Sequence, residues 1–139
     1  MPAGYEYHLD HRVVDAACWD VVTLAEWGEY LAAAARLPCD LRGAVEYLDL
    51  SEALAIRVNG VGALQIACCY EGLLDRGIRG TVIHAPDPGI QQAAEEVIRT
   101  CSRLAGGLPD GYRFCGFPIG LGEVHGFLDH GLAGGALVA

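Results

Sequence analysis

The order of the apolar segments predicts an α/β domain with a mixed sheet of four to five strands. Three observations carry this. Two short strand-like runs open the chain, joined by a tight polar turn. Strand and helix patterns then alternate, as βαβ crossovers between parallel strands require. Finally, Val45–Leu64 runs as a strand, a polar corner and a glycine-bearing turn into an apolar helix, the arrangement that places function in many α/β domains.

Taken in order, Tyr5–His8 and Arg12–Trp19 read as a hairpin around Leu9-Asp10-His11. Thr23-Leu24-Ala25-Glu26 is a capping-box sequence. It opens a helix with Leu24, Trp27, Leu31 and Ala34 on one face, ended by Pro38, and Trp27 reads as a core residue. Val45–Leu50 is the next strand, Ser51-Glu52 a corner, and Leu54-Ala55-Ile56 a further short apolar segment. After the Arg57–Gly62 turn a helix is expected over 60–75. Val61, Leu64, Ala67 or Cys68, and Leu74 are placed towards a sheet, and Glu71 and Asp75 towards water, with Gly77 and Gly80 at its exit. Thr81–His84 is a β-branched strand. Asp87-Pro88 begins a helix with an acidic cap and proline at the first position, and Gly106-Gly107 is expected to stop it. Residues 105–139 are weakly patterned: a short strand within Tyr112–Phe117, a glycine-weakened helix within Gly122–Leu132, and a frayed end at 133–139. No linker or repeat interrupts residues 1–139, so one domain is expected.

Composition narrows the function. A net charge of −9 works against nucleic acid and against an anionic membrane surface. All nine basic residues are arginine, so neither a Schiff-base lysine nor a phosphate-loop lysine exists in this chain. The six cysteines form no Cys-x-x-Cys and no zinc-ribbon spacing. Adjacent Cys68 and Cys69 would point about 100° apart on a helix, poorly placed to bridge each other. The opening MPAGYEYHLD lacks the basic and apolar regions of a signal peptide, so a cytoplasmic protein is expected. His8, Asp10 and His11 read as turn and surface residues, and His125 and Asp129, at i,i+4 spacing, as a solvated helix face. No metal site and no cofactor are expected.

The Leu48-Asp49-Leu50-Ser51-Glu52-Ala53 run and the Arg57-Val58-Asn59-Gly60-Val61-Gly62 turn, in this order of elements, resemble the STAS domain of bacterial anti-sigma-factor antagonists. The resemblance extends over roughly residues 5–104. It implies a signalling module that docks a protein, with a kinase-type anti-sigma factor or signalling complex as partner. Where the family has Asp-Ser-Ser-Gly-Leu-Gly, this chain departs. Arg57 stands at the aspartate and Val58 at the serine that accepts phosphate, so the usual switch by added charge cannot operate there. Asn59, at the second serine, keeps a side chain able to cap a helix.

A non-catalytic interaction module is therefore expected, using Arg57, Val58, Asn59, Gly60 and Gly62, with Ser51 at the edge of the same surface. One alternative is a small-anion or nucleotide site formed by Arg57 and the N–H groups at the helix start. A second is an enzyme of unassigned class using His84, Cys115 or His125 with Glu46, Asp49 or Glu52; no catalytic residue is assigned. A homo-oligomer is a further possibility, with Phe117, Ile119, Phe127 and Leu128 as the candidate interface.

Overall fold

The computed structural model describes residues 3–105 and 111–131. The opening strands are β1 (Ala3–His8) and β2 (Val13–Cys18), paired antiparallel from Ala3↔Cys18 to His8↔Val13. Next come β3 (Asp20–Thr23), α1 (Leu24–Ala34), β4 (Val45–Asp49), β5 (Ala53–Arg57) and α2 (Gly60–Asp75). The rest is β6 (Gly80–His84), α3 (Pro88–Ala105), β7 (Tyr112–Cys115), a 3₁₀ turn at Leu121–Glu123 and α4 (Val124–His130). The main sheet is mixed and five-stranded, in the order β1-β2-β4-β6-β7, with every pair after the first parallel. The expected stop at Gly106-Gly107 and the segment 133–139 lie outside the described residues.

The period-2 alternation of the strands divides the core. Val14, Ala16, Leu48 and Ile83 point to one face, where they pack with Trp27, Tyr30 and Leu31 of α1, Ile66, Tyr70 and Leu73 of α2, and Ile90, Ala94 and Ile98 of α3. Val13, Val45, Tyr47, Val82 and Cys115 point to the other face, beneath Val124, Phe127 and Leu128. Strands β4 and β6 are covered on both sides, so nearly all of their residues are buried, the polar Glu46, Thr81 and His84 among them.

Helix ends follow their local chemistry. Glu26 accepts from the Thr23 backbone N–H at 2.9 Å and from the Thr23 hydroxyl at the start of α1. Asp87 accepts from the Gly89 N–H at 2.8 Å at the start of α3. Past the end of α1, the Arg76 guanidinium donates to the carbonyls of Ala35 (2.6 Å), Leu37 (2.9 Å) and Cys39, tying the exit of α2 to the exit of α1. Gly77 follows with φ +92°, a left-handed turn that glycine makes without strain.

Three expectations need correction. Leu54-Ala55-Ile56 belongs to a true strand, β5, which pairs in parallel with β3 in a separate two-stranded sheet. On α2 the inward face is Gly62, Ala63, Ile66, Ala67, Tyr70 and Leu73, so Val61, Leu64 and Cys68 face solvent. That face mixes small residues (Gly62, Ala63 and Ala67) with large ones (Ile66, Tyr70 and Leu73), all of them buried. The expected stripe shares Ala67 with the buried one, but Val61, Leu64 and Cys68 lie beside it, on the solvent side of the helix. Finally, Phe127 and Leu128 are buried against the sheet, so they do not form an exposed interface; only Phe117 of that group, 50 % exposed, is largely open to water.

Candidate functional site

The turn from β5 to α2 is built by Asn59. Its side-chain oxygen accepts from the Gly62 N–H at 2.7 Å, and its carbonyl accepts from the Ala63 N–H at 2.8 Å. A Cβ on Gly62 would lie 3.1 Å from Val58 Cγ1 and 3.3 Å from Asn59 Oδ1, so glycine lets the cap close over the helix start. Gly60 has no such role, since a Cβ there meets nothing within 4 Å. Val58 is half-buried and packs against the main core, while Arg57 is exposed at the end of β5.

Beside this turn lies an open groove of about 280 Å³. Ile56, Val58, Asn59, Gly60 and Ala63 form one wall, and Ala93, Glu96, Val97 and Thr100 of α3 form the other. Of the residues expected at the interaction surface, Val58, Asn59 and Gly60 line the groove. Gly62 lies beneath them, and Arg57 and Ser51 are not in the lining. Ser51 instead donates its backbone N–H to Asp49 Oδ1 at 2.9 Å, beyond the end of β4. The α3 wall was missed by sequence reasoning. Ala93, Glu96 and Thr100 share one helical edge by spacing, but no sequence signal says that this edge faces the turn.

Aliphatic side chains are exposed on the two elements that flank the turn: Leu54 on β5 is 75 % exposed, and Val61 and Leu64 on α2 are 69 % and 43 % exposed. At the helix start the Asn59 side chain holds the Gly62 N–H, and the Glu96 carboxylate lines the groove, a charge unfavourable to an anion there.

The groups considered for catalysis are distributed differently. Asp49, His84 and Cys115 are register partners across β4, β6 and β7, at the carboxyl ends of these parallel strands. His84 Nδ1 lies 3.0 Å from Asp49 Oδ1, but His84 Nε2 is buried without a hydrogen-bond partner among the described residues. The Cys115 thiol is pushed up to about 12 by burial and then by the Asp49 charge, so it stays protonated and unreactive. Glu46 points to the opposite face. It is fully buried and accepts from the Tyr30 hydroxyl at 2.6 Å and the Tyr70 hydroxyl at 3.0 Å. Burial raises its pKa, against the tyrosine hydrogen bonds that favour the charged form. His125 and Asp129 both meet Arg79, which donates to the Asp129 carboxylate at 2.8 and 3.1 Å and lies 3.2 Å from His125 Nδ1. Among the described residues, no three His, Cys, Asp or Glu side chains are placed to hold a metal ion, and no helix is long and apolar enough to cross a membrane.

Compared with models of known protein families the chain matches none, and no curated protein sequence matches it.

Proposed function

We propose that this chain is a non-catalytic protein-interaction module of a signalling kind, comparable to the anti-sigma-factor antagonists it resembles. It binds its partner through the 57–62 turn and the outer face of α2. The observation that carries this reading is the exposure of Leu54 on β5 and of Val61 and Leu64 on α2, the elements that flank the capped turn. Val61 and Leu64, three residues apart on one helix, present adjoining exposed aliphatic side chains, and contiguous apolar surface of this kind marks a binding surface. Half-buried Val58 stands where the family's acceptor serine would be, so binding at this turn is not switched by phosphate there. The partner is a protein, with a kinase-type anti-sigma factor or a related signalling assembly as the class to seek. All six cysteines are free thiols, in keeping with action in a reducing bacterial cytoplasm.

Affinity capture from the native cell tests this, using the parent chain, Gly60→Asp and Arg57→Glu. Both positions are exposed, and Gly60 has open space around it, so the variants keep the fold. The parent is expected to retain a stoichiometric protein partner that each variant loses. If neither substitution alters any association, the proposal is wrong.

A further inference from the structure

We infer that the segment docking on α2 is a basic amphipathic helix, which lays its apolar residues on Val61 and Leu64 and its Lys or Arg residues against Glu71 and Asp75. This rests on the docking reading above and adds the chemistry of the partner.

Val61, Leu64, Cys68, Glu71 and Asp75 are all exposed, and their spacing of three and four residues makes them one continuous stripe along α2. Its first half is apolar and its second half acidic. No basic residue lies between Gly60 and Asp75 to neutralise the acidic half. Arg76 follows directly, but its guanidinium is held by carbonyls beyond the end of α1. The groove at the apolar end repeats the pattern. Ile56, Val58, Ala63 and Val97 supply apolar walls for one aliphatic anchor, and Glu96 supplies a negative charge beside it. On α3, Arg99 is paired with Glu95 at 3.2 Å. A helix presenting aliphatic residues at i, i+3 or i+4, and i+7, with cations on its following turns, satisfies both halves of the stripe. Arg57, exposed beside the apolar end, sets the polarity: the cationic turns of the partner lie away from it, over Glu71 and Asp75.

Charge also decides against the other occupants. In a second copy of this chain packed parallel, α2 on α2, Glu71 and Asp75 would face their own copies. Packed antiparallel, they would lie over Val61 and Leu64. Either arrangement desolvates carboxylates without a cation. An anionic lipid surface would be repelled by the same groups.

Photocrosslinking tests the inference on the full chain in its native cell, with p-benzoylphenylalanine in place of exposed Gln65, beside Leu64. The crosslinked peptide is then mapped by mass spectrometry. The expected product is a segment of another protein with a helical apolar stripe and an excess of Lys and Arg on its flank. Its yield should fall about tenfold or more in the Glu71→Arg/Asp75→Arg double variant. Circular dichroism confirms that this variant is folded. A neutral or acidic segment, a second copy of this chain, or a yield unchanged by charge reversal overturns the inference. If capture still depends on Gly60 and Arg57 in those cases, the docking reading survives alone. If neither crosslinking nor capture finds a partner, both fail.

Discussion

Glu46 offers the sharpest test of how this fold is held. Its carboxylate lies under α1 and α2 and receives one tyrosine hydroxyl from each. Glu46→Ala leaves both hydroxyls buried without an acceptor, and each such loss costs ~1–3 kcal/mol, or ~2–6 kcal/mol together. A domain of this size has ~5–15 kcal/mol of total stability. At about 3–4 °C per kcal/mol, Tm should fall by roughly 6–24 °C. Glu46→Gln keeps the volume and one acceptor, and its amide donates to the other hydroxyl once that hydroxyl rotates to accept. The Gln variant also removes the ionisable group, which gives the comparison a pH signature. Because burial raises the folded-state pKa of Glu46, the folded state holds this proton at pH values where the unfolded chain has lost it. The stabilising contribution is therefore complete below the unfolded carboxylate pKa and declines as pH rises through the raised folded value. Each unit of elevation corresponds to about 1.4 kcal/mol. The stability of Glu46→Gln relative to the parent should thus increase from pH 4 upward and level off above the folded-state pKa. Urea denaturation of both proteins at half-unit pH steps measures this directly. Parallel stability curves from pH 4 to 9, or a Glu46→Ala variant within ~0.5 kcal/mol of the parent, would refute the reasoning.

Two further outcomes follow from the local geometry. Gly62→Ala should destabilise by ~1–3 kcal/mol, because its Cβ crowds Val58 and the Asn59 cap. Gly60→Ala, in open space at the first turn of α2, should stabilise by ~0.4–1 kcal/mol through the unfolded chain; changes of the same sign on urea denaturation would contradict this account. With a thiol reagent such as Ellman's under native conditions, exposed Cys68 should react first. Cys18 and Cys115, both raised to about 12 by burial, and Cys101, raised to about 11, should react only on unfolding. Labelling of any of these three as fast as Cys68 would count against the buried assignments.

The sequence by itself determined most of the element order. Polar caps, prolines and period-2 runs are local signals, acting within four or five residues. That is why α2 starts at Gly60 and ends at Asp75 as its sequence indicates, with Asn59 as its cap. What only the tertiary structure decided is which face each element shows to which neighbour. The inward stripe of α2, which runs from Gly62 and Ala63 through Ile66, Ala67 and Tyr70 to Leu73, is the one that meets α1 and α3, and apolar periodicity alone does not separate it from the stripe beside it. That choice turns Val61 and Leu64 outward and makes a surface from residues that read as core. Likewise, the pairing of β5 with β3, the meeting of Glu46 with two tyrosines, and the α3 wall of the groove join residues 16 to about 40 positions apart, and no local pattern encodes such contacts. The turn at 57–62 was legible because its chemistry is local. The groove beside it was not, because its second wall comes from a helix that folds back onto it.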